Sequence, residues 1–290
     1  MSLVFRSLKA FKRLVSSARM LSTTQAGVGD TIPSTQHVSV DGTDIHYVQA
    51  GCGPHTVLML PGALGSGATD FAPQLKHLNH DKYTLIAWDP QGYGYGQAAG
   101  RDWSGNFLLR DAHQAAKLMQ KLDHTRYSLL GWSDGGITAL LMAAHHPTSV
   151  RRVVQWGANA YLTEGEIASY QSIRDISAWS ERMRTPFIQM YGERKFQELW
   201  ENWIDNFCRF YTDHQGDVCR SALSRVTCPL LTVHGQKDPL VPQFYADYIT
   251  QHVKGAELKN FPEGKHNLHM KYFKEVNLLI EDFLDAEVST

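Results

Sequence analysis

No stretch of this sequence approaches the ~18 consecutive apolar residues that a membrane-spanning helix needs, so no membrane span is expected and the chain reads as soluble. Cysteine is scarce as well. Cys52, Cys208, Cys219 and Cys228 are scattered, none forms a C-x-x-C pair, and no histidines cluster at metal-ligand spacing. These absences argue for reduced thiols in a reducing compartment, and against a disulfide scaffold or a structural zinc. A surplus of positive charge is missing too: Lys and Arg total 28 against 29 Asp and Glu, a formal net charge of −1. A chain whose main partner is nucleic acid would carry a basic excess. No internal repeat and no low-complexity segment is visible.

Acid is absent from one region in particular. Residues 1–29 contain Arg6, Lys9, Lys12, Arg13 and Arg19, and the first carboxylate is Asp30. With those five bases set aside, 23 bases face 29 acids, so residues 30–290 carry a net charge of −6. The bases interleave with Leu3, Val4, Phe5, Leu8, Phe11, Leu14 and Val15 at near-helical spacing, which breaks the apolar core a secretory signal would need. An amphipathic, acid-free head of this kind fits a mitochondrial transit peptide, and a solvated basic tail is the alternative. The mature, mitochondrial chain is expected to begin between Leu21 and Asp30.

Beyond the head, short β-branched runs alternate with longer helical patterns, the signature of a mostly parallel sheet flanked by helices. His37–Val40 and Ile45–Val48 flank Asp41-Gly42 and predict a hairpin. Thr56–Leu60 and Tyr83–Trp88 are continuous apolar runs, suited to strands buried on both faces. An amphipathic helix over Asn106–Leu122 leads to a strand at Tyr127–Leu130, a buried helix over Ile137–His146 and a strand at Arg152–Trp156. Further strands fall at Leu230–His234 and Glu257–Phe261, with helices at Gln243–Val253 and from about Met270 to Leu284. Between them, residues 157–227 lose strand signals and are rich in helix formers and aromatics, which predicts a helical cap over the sheet edge. Most of those aromatics are expected to form the cap's own core, and a minority to line a pocket.

The strongest chemical signal is Gly131-Trp132-Ser133-Asp134-Gly135, a G-x-S-x-G between a strand and a helix. A serine there sits on a sharp turn that presents its hydroxyl at the carboxyl end of the sheet. A serine hydroxyl needs a base to take its proton and an acid to orient that base. Asp238 follows the strand Leu230–His234, and His266 follows the last strand, so both arise at the same sheet edge as Ser133. His269 competes with His266 as the base, and Asp247 and Glu263 compete with Asp238. An oxyanion would be met by backbone N–H groups, one from Asp134 and the other from the Pro61–Gly65 loop, where Ala63 is preferred and Leu64 is the alternative. Asp134 has two readings of equal weight: a carboxylate beside the scissile bond that pairs with a substrate ammonium, or a first-turn Asp complementing the helix dipole for about 0.3–1 kcal/mol.

Ser133, Asp238, His266 and the Pro61-Gly62 loop resemble the α/β-hydrolase family, and the likeness runs from Val38 to the C-terminus through long stretches such as Leu60–Gly67, Leu130–Leu140, Val233–Pro242 and Pro262–His269. The resemblance implies the α/β-hydrolase fold with a helical cap and a serine hydrolase working through an acyl-enzyme intermediate. It also implies a mitochondrial enzyme that cleaves small esters bearing a free α-amino group, amino-acid ester prodrugs included, with Asp134 recognising the amine. The enzyme is expected to act as a monomer without cofactor. One departure is evident, since Gln91 and Gly96 stand where such hydrolases usually carry Arg and Ser. Gln91 removes a charge, so this loop is expected to be held differently. Two other readings of the same sequence are a carbon–carbon bond hydrolase of ring-fission products and a silent α/β-hydrolase fold used for binding.

Overall fold

The structure, a computed structural model, describes residues 35–287. The expected transit peptide, residues 1–29, lies outside them. The chain opens as the hairpin its sequence predicts, β1 (Gln36–Val40) and β2 (Thr43–Ala50). Asp41 and Gly42 both take positive φ, 50° and 80°, as a tight turn matched to strand twist requires. Then follow β3 (His55–Leu60), β4 (Tyr83–Trp88), β5 (Tyr127–Trp132), β6 (Val150–Trp156), β7 (Leu230–Gly235) and β8 (Glu257–Phe261). They form one eight-stranded sheet in the order β1-β2-β4-β3-β5-β6-β7-β8, antiparallel at the first two pairings and parallel throughout the rest.

Ten α-helices and three short 3-10 helices complete the described chain, the α-helices being α1 (Gly67–Asp70), α2 (Ala72–His77), α3 (Phe107–Lys121), α4 (Asp134–His145), α5 (Glu164–Ser172), α6 (Glu181–Tyr191), α7 (Glu193–Asp213), α8 (Gln243–His252), α9 (Leu268–Lys271) and α10 (Phe273–Asp285). The continuous apolar runs of β3 and β4 are explained by burial on both sides. Leu58, Leu60, Ile86 and Trp88 join the core beneath α3, α4 and the cap, whereas Val57, Met59, Leu85 and Ala87 join the core shared with Leu75, Val276 and Ile280.

Between β6 and β7 lie α5, α6 and α7. In α7, Phe196, Leu199, Trp200, Trp203, Ile204, Phe207 and Phe210 recur at helical spacing, and all are buried. Three local readings are corrected. The helix after Ser133 starts at Asp134 rather than Ile137, because Gly135 and Gly136, poor helix formers, are needed there for close packing. The terminal helix is interrupted at Tyr272, and two short helices, α1 and α2, follow β3 where the sequence showed no periodicity long enough to detect. All four cysteines are unpaired.

Candidate active site

Four parallel strands deliver the site from their carboxyl ends. Ser133 stands between β5 and α4 at φ 56° and ψ −121°, a conformation most side chains avoid. Glycine makes the turn sterically feasible. A Cβ on Gly135 would lie 1.8 Å from the Leu60 carbonyl oxygen, and one on Gly131 would lie 2.4 Å from that of Gly135. The amide of Ser133 donates to the Trp156 carbonyl at 2.9 Å, tying the turn to β6.

Asp238, just past β7, and His266, past β8, meet as the sequence positions suggest. His266 Nδ1 lies 2.8 Å from Asp238 Oδ2, and both side chains are buried. Asp238 Oδ1 accepts from the amides of Leu240 and Val241 at 2.8 and 3.0 Å, so the carboxylate is fixed in place. An ionised carboxylate only accepts, so Nδ1 carries the proton and Nε2 is left with a lone pair. The ring has little latitude: a Cβ on Gly157, whose φ is +66°, would come within 2.8 Å of His266 Cε1. Trp132 Nε1 donates to the His266 carbonyl at 2.9 Å, and His266 and Ser133 line one cavity.

The competitors lie elsewhere. His269 is fully buried in α9, where its Nδ1 accepts from Trp156 Nε1 and its Nε2 faces the Asp70 carbonyl, each at 2.9 Å. Burial pushes its pKa down to about 3, so it stays neutral with both nitrogens engaged. Asp247 accepts from Gln243 within α8, and exposed Glu263 pairs with Lys237.

The loop after β3 is clamped at several points. Its Gly62 amide donates to Asp70 Oδ2 at 3.0 Å, and Gly67 just beyond donates to Asp89 Oδ1 at 2.9 Å. Burial pushes Asp70 up to about 7 and Asp89 up to about 6, against the pull of these amide donors. Leu64 takes a φ of 57°. Among the described residues the amides of Ala63 and Leu64 donate to no acceptor, and Ala63 lines the cavity. Asp134 is the first residue of α4, where an N–H has no partner within the helix. Such free, preorganised donors are what a developing oxyanion requires.

The cavity holds about 280 Å³ and is largely apolar on its cap side, where Trp179, Phe187, Met190, Trp200 and Trp203 face Ser133 and His266. Other cap aromatics, Phe196, Phe207 and Phe210, are buried as core. Asp134 is also buried, only 6% exposed, and its Oδ2 accepts from Trp203 Nε1 at 2.7 Å. Burial pushes this carboxyl up to about 7, opposed by the Trp203 N–H and by the Arg101 guanidinium. Arg101 is itself buried in a 2.5 Å ion pair with Asp111. It also donates to the Gln91 carbonyl at 2.9 Å, while the Gln91 side chain accepts from Gln114. The loop that departs from the family pattern is thus held by an arginine ten residues downstream.

Asp70, Asp89, Tyr191 and Trp203 were not singled out by sequence reasoning. Asp89 does open the Asp-Pro loop, but no spacing flags Asp70, and cap aromatics carry no local mark of the pocket they face. Among the described residues, no group of three or more His, Cys, Asp or Glu is placed to hold a metal ion, and no helix is long and apolar enough to cross a membrane.

The family described as alpha/beta hydrolase fold matches residues 55–200. Serine hydrolase BPHL of Mus musculus is 51% identical over 254 residues, 88% of this chain and 87% of its own. Serine hydrolase BPHL of Homo sapiens is 51% identical over 259 residues, 89% of each chain. Among solved structures, the meta-cleavage product hydrolase CumD from Pseudomonas fluorescens IP01 superposes with a TM-score of 0.71 at 19% identity, covering 86% of this chain and 97% of its own, a likeness of fold alone.

Proposed function

The chain belongs to the α/β-hydrolase family and is a serine hydrolase, and from that premise we propose that it hydrolyses esters of α-amino acids through Ser133, His266 and Asp238. Ser133 Oγ attacks the ester carbonyl as His266 Nε2 takes its proton, and Asp238 stabilises the resulting imidazolium. The oxyanion is met by the amides of Asp134 and Ala63. Collapse breaks the ester C–O bond, and His266 returns the proton to the departing alcohol. A water, deprotonated by His266, then attacks the acyl-enzyme, frees Ser133 and releases the amino acid.

The substrate class rests on one observation: a buried carboxylate, Asp134, directly follows the nucleophile and leaves Oδ1 without a hydrogen bond among the described residues. A substrate ammonium next to the scissile carbonyl matches it in charge, and a desolvated charge-assisted pair contributes about 1.5–3 kcal/mol. Amino-acid ester prodrugs such as valacyclovir carry that group. Ring-fission products, the substrates of related carbon–carbon bond hydrolases, are anionic and would be repelled.

The test compares an amino-acid benzyl ester with its N-acetylated counterpart. The intact enzyme is expected to prefer the free amine by about tenfold or more, the equivalent of one such pair. Asp134→Ala erases that preference, and Ser133→Ala lowers kcat by about 10⁶-fold. Equal rates on the two esters with intact enzyme would remove amine recognition and leave the triad standing. The proposal includes a monomeric enzyme, and the acid-free basic segment 1–29 supports its activity in mitochondria. N-terminal sequencing of the native protein should return a residue between Leu21 and Asp30, and recovery of Met1 would refute import with cleavage.

A further inference from the structure

We infer that Trp203, on cap helix α7, sets the amine specificity of the site by holding Asp134 in its productive, ionised form. The inference rests on the reading of Asp134 as the amine anchor. Trp203 lines the cavity beside Ser133 and His266, and Asp134, the residue after Ser133, is buried. The indole is held rigidly: it stacks on Trp200 with ring centroids 4.9 Å apart and planes 6° apart, and it packs against Tyr170 and Phe207 at 5.0 and 4.3 Å. Its Nε1–H reaches Asp134 Oδ2 at 2.7 Å, the one hydrogen bond that carboxylate receives from a side chain among the described residues.

Two consequences follow from the chemistry of that bond. An indole N–H only donates, so it occupies Oδ2 without accepting from an ammonium, and the ammonium is directed to Oδ1. A carboxylate in so dry a place favours its neutral form, and a donor to the charged form opposes this. The other charged and titratable groups that face Asp134 are Arg101, whose charge is shared with Asp111, Asp111 itself, His266 and the buried phenols of Tyr93 and Tyr170. None of these bonds to the carboxylate. Phenylalanine at position 203 would keep an aromatic ring in this cluster but lacks the N–H. Recognition of the amine is therefore divided between the sheet edge, which supplies the charge, and the cap, which aims it and keeps it ionised.

Trp203→Phe keeps the ring stack and deletes the donor. Kinetics on a benzyl ester with a free α-amine and on its N-acetyl counterpart, from about pH 5.5 to 8.5, read the outcome, because the substrate's own amine titrates identically with both proteins. Expected in Trp203→Phe are a KM for the free-amine ester about tenfold higher, a smaller loss on the N-acetyl counterpart, so that the ratio between the two esters falls, and an upward move of the pH at which amine preference appears. Equal losses on both esters, or unchanged preference with an unchanged pH midpoint, would overturn the inference. If intact enzyme shows no amine preference, the Asp134 reading fails first, and independently of any Trp203 variant. Should Trp203→Phe not fold, intact protein labelled with ¹⁵N at its indoles decides. The indole signal that Asp134→Asn displaces should titrate with the carboxylate, and if Asp134→Asn displaces no indole signal, Trp203 does not hold Asp134.

Discussion

The hydroxyl of Tyr191 donates to the carbonyl oxygen of Leu64 over 2.7 Å and itself accepts from the Gly94 amide over 2.8 Å. One residue at the end of α6 thereby ties the cap to the loop that carries Ala63, and it does so at Leu64, whose left-handed backbone requires external support. Donors to an oxyanion act chiefly in the transition state. Tyr191→Phe should therefore lower kcat by about tenfold while KM changes by less than about threefold, since one preorganised donor contributes up to about 10²–10³ and Tyr191 only positions it. A change in KM alone would assign Tyr191 to substrate binding rather than to the loop.

His266 and His269 are three residues apart and separable by experiment. His269→Leu strands two buried partners, Trp156 Nε1 and the Asp70 carbonyl. It should cost about 2–4 kcal/mol of stability, on the scale of two unsatisfied buried groups, yet leave kcat within about threefold. His266→Ala should lower kcat by about 10⁴-fold or more with little change in thermal unfolding. The opposite pattern would make His269 the base.

Gly157 offers a test of how finely His266 is placed. A Cβ there would press to within 2.8 Å of His266 Cε1, and φ of +66° disfavours any side chain. Gly157→Ala is expected to reduce kcat by about 10²-fold, the scale of an ångström-sized displacement of a catalytic group, and to lower stability by about 1–2 kcal/mol. Activity close to that of intact enzyme would mean that the imidazole position is more tolerant than the packing implies.

Burial of Asp134 makes stability depend on pH. Its folded pKa lies near 7 against an ordinary 3.8, so between those values the folded chain holds a proton that the unfolded chain has released. Stability from this group is thus highest below about pH 4 and declines as pH rises toward 7. Asp134→Asn lacks the titration. The melting temperature of the variant relative to intact protein should rise between pH 5 and pH 8, and a difference constant with pH would contradict a raised carboxyl at this position.

Much of the architecture is legible in the sequence because its signals are local. The Asp41-Gly42 turn, the doubly buried runs of β3 and β4 and the helical stripe of α3 announce themselves through backbone preference and apolar periodicity. Ser133, Asp238 and His266 are legible for a related reason: each follows a strand, and parallel strands bring their carboxyl ends to one edge. The start of α4 was misplaced because Gly135 and Gly136 oppose helix locally, whereas close approach to Leu60 demands them. The short α1 and α2 were missed because four to six residues hold too little periodicity to register.

By itself, then, the sequence determined the order of the strands along the chain, the strained turn that carries Ser133 and the acidic neighbour of that serine. Tertiary structure decided what no spacing encodes: that His269 is consumed by Trp156 and Asp70, that Asp70 and Asp89 brace the loop bearing Ala63, and that Tyr191 and Trp203 reach down from the cap to Leu64 and Asp134. The reason is physical. Period and turn chemistry act over a few neighbouring residues, whereas a buried hydrogen bond depends on partners 69 or 127 positions away and exists only once the sheet and cap have closed around it.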